Sequence, residues 1–226
     1  MYCLWCDDEI LPELSWKNFL TVTNKQKLCN SCLEQLEIIQ GNRCIKCSRK
    51  YNDTICRDCK RWMEHYSEDP LVQNVSVYTY NDRMKEMVTR WKYRGDYCLT
   101  EAFRQTFKDV FYKNFSNIYR KSVVVPIPLS KERLFYRGFN QAYVLAQLLP
   151  VKRKELFIRT HSEKQAKKSR KERVFSRNPF KLLQPINKTV ILVDDIYTTG
   201  MTVRHAASLL QQNGCPEVYS YTLIRG

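Results

Sequence analysis

Hydrophobic residues recur with two different periods along the last two thirds of the chain, and this alternation predicts an α/β domain. Short β-branched runs predict buried strands, and apolar residues three and four positions apart predict amphipathic helices. The predicted strands are Asn74–Tyr80, Ser122–Ile127, Leu156–Arg159, Val190–Val193 and Val218–Ile224. One predicted helix begins near Asp82, which could cap it, and has Met84, Met87, Val88 and Trp91 on one face. The other predicted helices are Glu101–Tyr112, Asn140–Leu149 and Thr202–Asn213. Strands and helices that alternate in this way are typical of a mainly parallel sheet flanked by helices.

The first third of the chain lacks this pattern and is marked by cysteines instead. Eight of the ten cysteines lie within the first 59 residues, as four CxxC pairs. The pairs are Cys3/Cys6, Cys29/Cys32, Cys44/Cys47 and Cys56/Cys59. A segment this short does not fold securely by hydrophobic burial alone. We therefore predict two domains, residues 1–65 and 74–226, with the boundary in the polar stretch between Lys60 and Gln73.

The CxxC pairs predict two structural zinc sites. One CxxC turn brings two sulfurs within reach of an ion, and four thiolates complete a tetrahedral zinc site. The simplest assignment is sequential, with the first two pairs around one ion and the last two around the other. An interleaved assignment is also compatible with the spacing. A site closed by four cysteines has no open coordination position, so we expect the metal to drive folding of the segment rather than catalysis.

Charge composition favours a polyanionic partner. Lys and Arg outnumber Asp and Glu to give a net charge of +15 and a pI near 9.4. Such an excess is typical of proteins that bind nucleic acid or phosphorylated ligands, and a generally basic surface is the alternative. The chain has no apolar run near the ~20 residues that span a bilayer and no signal peptide, so we expect a cytoplasmic protein without membrane insertion.

The segment VILVDDIYTTGMT, from Val190 to Thr202, has the chemistry of a ribose phosphate site. Its loop, which leads into a helix, offers backbone N–H groups and hydroxyls that favour a phosphate dianion. The loop residues are Thr198, Thr199, Gly200, Met201 and Thr202. The preceding acids, Asp194 and Asp195, would repel a phosphate but suit the hydroxyls of an adjoining ribose. The alternative is that Asp195 and Thr202 are ordinary loop and helix-cap residues that bind no ligand. The chain contains neither GxxxxGK[ST] nor GxGxxG, which argues against a P-loop triphosphatase or a dinucleotide-binding domain.

This segment resembles the phosphoribosyl pyrophosphate motif of type I phosphoribosyltransferases, in which four aliphatic residues and two acids precede TTGxT. Together with VVPIPLSKERLFYRGFNQA (Val124–Ala142), WKYRGD (Trp91–Asp96) and the CxxC pairs, it makes nearly the whole chain similar to the ComF/ComFC family of competence proteins. The resemblance implies a zinc-binding segment before a type I phosphoribosyltransferase-like domain. It also implies that Asp194 and Asp195 contact ribose and that the TTGMT loop holds the 5′-phosphate.

Further candidate residues follow from the resemblance and from local charge. The turn around Pro126–Ser130 is expected near the pyrophosphate, and the candidates there are Ser130, Arg133, Arg137 and Arg159. In this fold a mobile loop covers the site, which here corresponds to Arg159–Pro179. Lys168 occupies a position where relatives usually have leucine, which weakens the expectation that this loop closes in the usual way.

Candidate DNA contacts are basic residues, some beside aromatic ones. They are Lys92, Arg94, Lys167, Lys168 and Arg170. A solvated run of charges, or a buried tryptophan with basic neighbours that extend to solvent, explains the same residues without DNA.

Two functions remain open from the sequence. The first is a competence factor for DNA uptake that binds phosphoribosyl pyrophosphate with Mg²⁺ and single-stranded DNA, and that acts with a partner ATPase or helicase. The second is an active phosphoribosyltransferase, although the sequence identifies neither an acceptor pocket nor a catalytic residue. A third hypothesis, a degenerate α/β remnant beside a docking segment, is disfavoured because the acid pair and the TTGMT loop are intact.

Overall fold

A parallel sheet lies at the centre of the computed structural model, which describes residues 1–11, 26–160 and 178–226. The strands in chain order are β1 (Asn74–Thr79), β2 (Val123–Pro126), β3 (Phe157–Arg159), β4 (Phe180–Leu182), β5 (Val190–Tyr197) and β6 (Val218–Arg225). Four of them form the sheet, in the order β1-β6-β5-β2, and every neighbouring pair is parallel. Strands β3 and β4 form a separate antiparallel pair. The predicted parallel α/β architecture is confirmed.

Helices connect the strands and cover both faces of the sheet. They are α1 (Asn30–Glu34), α2 (Arg57–His65), α3 (Asp82–Tyr93), α4 (Thr100–Phe115), α5 (Lys131–Arg137), α6 (Gln141–Gln147) and α7 (Met201–Gln212), with 3₁₀ turns at Tyr97–Leu99 and Tyr119–Lys121. Within the described ranges, no helix is both long and apolar enough to cross a membrane.

Two hydrophobic cores lie on opposite faces of the sheet. Alternate residues of β5 point to opposite faces, so Ile191 and Val193 belong to one core and Val190 and Leu192 to the other. The cysteine-rich segment contributes to both cores. Cys3, Cys29 and Cys32 pack with the core that contains α4, and the last four cysteines of the segment pack with the core that contains α7. The segment is therefore built onto the sheet, while the division at residues 65 and 74 stays a prediction.

Several elements differ from the predicted ones. Asn81, rather than Asp82, caps α3, because its side-chain oxygen accepts a hydrogen bond from the Met84 N–H at 2.9 Å. Strand β5 continues past Val193 to Tyr197, because β6 runs alongside it through the whole acid pair. Helix α5 and strand β4, which are only seven and three residues long, were not predicted from the sequence.

A buried ion pair anchors the stretch between the cysteine-rich segment and the sheet. Two guanidinium nitrogens of Arg204 donate to the Asp69 carboxylate at 3.0 and 2.8 Å. The third donates to the Tyr197 hydroxyl at 2.8 Å, and the guanidinium lies 4.8 Å from the centre of the Trp62 ring. The Arg204 side chain is only 1% exposed, so loss of its partner would leave an uncompensated charge at a cost of about 3–5 kcal/mol.

Candidate functional site

The TTGMT loop joins the carboxyl end of β5 to the first turn of α7, where ligands of parallel α/β proteins commonly bind. Gly200 precedes the helix in the left-handed conformation, with φ of +82°. A Cβ at this position would collide with the Tyr197 hydroxyl and the Arg204 guanidinium. The glycine is therefore required both by its backbone conformation and by the closeness of these buried side chains.

The two acids that precede the loop have different partners. The Asp195 carboxylate pairs with the Lys92 ammonium at 2.5 Å and lies 4.0 Å from the Arg137 guanidinium. The Asp194 carboxylate accepts a hydrogen bond from the Asp195 N–H at 2.9 Å. Burial, and then the charge of Asp195, raise the pKa of Asp194 to about 7, although the Asp195 N–H, Lys92 and Arg159 act in the opposite direction.

Two arginines of the predicted pyrophosphate region, Arg137 and Arg159, lie near the acid pair, and Arg133 lies within electrostatic reach of Arg159. Burial, and then the charges of Arg133 and Arg137, lower the pKa of Arg159, while the charge of Asp194 opposes them. Arg137 also donates to the Gln141 side-chain oxygen at 3.0 Å. Ser130 begins α5 and accepts a hydrogen bond from the Arg133 N–H, so it sets the direction of the helix that carries two of these arginines.

The DNA role predicted for Lys92 stays a prediction. Its side chain is only 11% exposed, and its ammonium pairs with the Asp195 carboxylate. Arg94, the next DNA candidate, is exposed after the end of α3. Lys167, Lys168 and Arg170 lie outside the described residues, as does most of the predicted Arg159–Pro179 loop.

Exposed aromatic residues on α5 were not predicted from the sequence. Phe135 is 84% exposed and Tyr136 is 81% exposed, between Arg133 and Arg137. The Arg137 guanidinium also lies 5.7 Å from the ring centre of Tyr93, which is itself exposed. The adjacent aromatics in LFYRG were the available signal, because they do not fit one apolar face of a helix.

The eight N-terminal cysteines form two groups of four, in the sequential assignment. The groups are Cys3, Cys6, Cys29, Cys32 and Cys44, Cys47, Cys56, Cys59, and the sulfurs within each group lie within 4.8 Å of one another. The Cys6–Cys29 and Cys47–Cys56 sulfurs are each 3.6 Å apart, close to the roughly 3.8 Å edge of a tetrahedron with Zn–S bonds of about 2.3 Å. Each group therefore fits one tetrahedral metal ion.

The two cysteine groups differ in their exposure. Cys6 is exposed and Cys29 is partly exposed, whereas every cysteine of the second group is buried. The Cys56 N–H also donates to the Cys44 sulfur at 3.3 Å, the kind of backbone contact that stabilises a metal-bound thiolate. The second group is thus part of the protein interior.

Comparisons with known proteins agree with this geometry. The phosphoribosyl transferase domain family matches residues 104–226. Competence protein ComFC of Bacillus subtilis (strain 168) is 40% identical, over 100% of this chain and 95% of that protein. Competence protein ComFC of Streptococcus pneumoniae is 30% identical over the full length of both chains. The chain belongs to the ComFC family.

A third relative has a related description. DNA utilization protein YhgH of Escherichia coli O157:H7 is 26% identical, over 88% of this chain and 96% of that protein. The family is therefore one of competence and DNA utilization proteins with a phosphoribosyltransferase domain. The family and the fold class predicted from the sequence are confirmed.

The raised pKa of Asp194 predicts that this ComFC protein loses stability as the pH rises. An aspartate in the unfolded chain ionises near pH 4, but Asp194 in the folded protein ionises near pH 7. Between these values the folded state binds more protons, so the free energy of unfolding falls by up to about 1.4 kcal/mol per pH unit. We expect Asp194→Asn to remove this contribution, so that the variant gains stability relative to wild type from pH 5 to pH 7.

Urea unfolding at several pH values measures this difference. Asp109→Asn, which changes an exposed aspartate on α4, controls for the loss of one negative charge. The same pH dependence in wild type and in Asp194→Asn would contradict the prediction.

Gly200 provides a second prediction. Gly200→Ala imposes both the strain of a positive φ and a collision with Tyr197 and Arg204. Gly214→Ala is the matched control, because Gly214 has φ of +89° but open space where a Cβ would lie. We expect Gly214→Ala to lower the free energy of unfolding by about 1 kcal/mol and Gly200→Ala to lower it by several-fold more. Equal losses in urea unfolding would show that the collision is relieved at little cost.

Proposed function

We propose that this protein binds phosphoribosyl pyrophosphate at the carboxyl end of β5. The observation that carries the proposal is the acid pair, which adjoins the TTGMT loop and lies within electrostatic reach of several cationic side chains. These cations are Lys92, Arg137 and Arg159. A ligand with hydroxyls between two anionic groups matches this arrangement, because acids accept from hydroxyls and arginines bind phosphate oxygens.

Each part of the ligand has a matching part of the site. The loop from Thr198 to Thr202 would hold the 5′-phosphate at the start of α7. Asp194 and Asp195 would accept hydrogen bonds from the ribose hydroxyls. The arginines of α5 and β3, with Ser130, would hold the pyrophosphate. Mg²⁺ would accompany the ligand and bind its pyrophosphate and hydroxyl oxygens.

Phosphoribosyl transfer is the alternative function of the same site. Positive charge near a departing pyrophosphate would stabilise the transition state of such a transfer. Release of pyrophosphate in the presence of a panel of nucleobase and amine acceptors distinguishes catalysis from binding alone. The same panel would identify the acceptor, which the residues of the site do not specify.

The acid pair provides the test of sugar phosphate binding. We expect Asp194→Asn with Asp195→Asn to lower the affinity for phosphoribosyl pyrophosphate by at least about 100-fold, because charge-assisted hydrogen bonds to two hydroxyls are lost. Isothermal titration calorimetry with Mg²⁺ measures the affinity, and Asp109→Asn controls for a simple change in charge. Unchanged affinity in the double variant would overturn the assigned site.

Single-stranded DNA is the second ligand that we propose. The exposed rings of Phe135 and Tyr136, with the exposed Arg94 and Tyr93, combine stacking surfaces with positive charge. Proteins that bind single strands without sequence preference use this combination. The family and the basic composition favour a role in DNA uptake in the cytoplasm, with a partner ATPase or helicase that would dock on the zinc-bearing segment.

The exposed aromatics provide the test of DNA binding. We expect Phe135→Ala with Tyr136→Ala to weaken binding of an oligothymidylate by about 10-fold or more, because each stacked base contributes roughly 1–3 kcal/mol. Tyr112→Ala removes an exposed tyrosine from α4 and serves as the matched control. Fluorescence anisotropy at several salt concentrations measures the affinity. Equal affinity of the double variant and the control would remove α5 from the DNA surface.

A further inference from the structure

The cysteine-rich segment contacts the backbone of the TTGMT loop through Trp62. Trp62 lies on α2, three residues after Cys59, and its side chain is buried. The Trp62 indole N–H donates to the Thr199 carbonyl oxygen at 2.9 Å, across 137 positions of the sequence. The same indole packs on the Arg204 guanidinium beneath Gly200. A residue fixed by the second cysteine group therefore determines where the loop backbone lies.

Arg225 makes a second connection between the same two parts. One terminal nitrogen donates to the carbonyl oxygens of Tyr197 and Thr198, at 3.1 Å each. The other terminal nitrogen lies 3.6 Å from the Cys47 sulfur. The guanidinium is buried and also packs 5.1 Å from the Tyr197 ring centre. Because a metal-bound sulfur is a thiolate, it offers Arg225 the negative charge that a buried guanidinium requires.

The first cysteine group contacts a different part of the protein. Its neighbour Trp5 packs under the guanidinium groups of Arg83 and Arg90, and Arg90 donates to the Trp5 carbonyl oxygen at 3.2 Å. Both arginines belong to α3. These contacts of the first group therefore lead to α3, whereas those of the second group lead to the loop.

We infer that the second cysteine group, when it holds its metal ion, positions the TTGMT loop for the sugar 5′-phosphate through Trp62 and Arg225. The inference rests on the proposed function of that loop. Metal binding would fix the start of α2, which carries Trp62, and the negative charge of Cys47, which lies beside Arg225. Trp62 and Arg225 are the two donors that bind the loop carbonyls. By linkage, a ligand that requires the ordered loop also strengthens retention of the second ion.

Trp62→Phe tests the connection with little change in shape. The variant loses the indole N–H but keeps an aromatic ring beside Arg204. Tyr221→Phe is the matched control, because the Tyr221 hydroxyl also donates to a buried backbone carbonyl, that of Phe107, on the other face of the sheet. Metal analysis should find two zinc ions per chain in wild type and in both variants.

Two ligands separate positioning of the loop from general loss of structure. Phosphoribosyl pyrophosphate carries the 5′-phosphate, and inorganic pyrophosphate does not. We expect Trp62→Phe to weaken binding of phosphoribosyl pyrophosphate by about 5–20-fold, the size of the loss of one buried hydrogen bond, and to leave pyrophosphate affinity unchanged. Tyr221→Phe should leave both affinities unchanged. Calorimetry with Mg²⁺ measures both ligands.

Zinc release gives a readout that does not depend on binding measurements. With excess chelator, phosphoribosyl pyrophosphate should slow the release of one of the two ions from wild type, and this protection should be absent in Trp62→Phe. Equal weakening of both ligands, or no weakening of either, would overturn the inference while the site itself stands. Failure of wild type to bind phosphoribosyl pyrophosphate would overturn the proposed function, and the inference with it.

Discussion

The buried guanidinium of Arg204 is the interaction on which the arrangement of this protein depends. A charged group with 1% exposure is tolerated only where its hydrogen bonds are satisfied, and here Asp69 and Tyr197 satisfy them while Trp62 covers the face. These partners come from the stretch after α2, the end of β5 and α2 itself. One side chain of α7 thus fixes the cysteine-rich segment, the sheet and the loop between β5 and α7 in one geometry.

The acid pair shows how the sheet creates different environments for neighbouring residues. Consecutive residues of a strand point to opposite sides, so continuation of β5 through Asp194 and Asp195 separates their carboxylates. Asp195 forms an ion pair with Lys92 of α3, whereas Asp194 has no ion pair of its own among the described contacts and is reached by the charges of Asp195, Lys92 and Arg159. Burial and the adjacent negative charge favour the protonated form of Asp194. A cationic metal or the donor hydroxyls of a sugar would favour its ionised form, so binding and ionisation of this residue are coupled.

The sequence predicted those features that depend on local pattern. Strand β5, helix α7 and the cysteine pairs each have a signal within a few consecutive residues, so their existence could be predicted. The exact ends of β5 and α7 could not be predicted in this way. The extent of β5 was set by its neighbour β6, which local periodicity does not encode. The pair of Lys92 with Asp195, and the contact of Trp62 with Thr199, join residues far apart in the chain. Such pairs follow from the packing of α3 and α2, which a single sequence does not specify.

The sequence identified basic residues of α5 as candidates, but it did not predict the helix that carries them. Helix α5 begins at Lys131, after its cap Ser130, and is followed by Gly138 in the left-handed conformation, so its seven residues have a fixed orientation. Arg133 and Arg137 are four positions apart and share one side of the helix, while Phe135 and Tyr136 extend into solvent. A helix that combines arginines with exposed aromatic rings has no apolar face, so its periodicity gave no signal. One short helix thus places Arg137 near Asp195 and exposes the rings of Phe135 and Tyr136 to solvent.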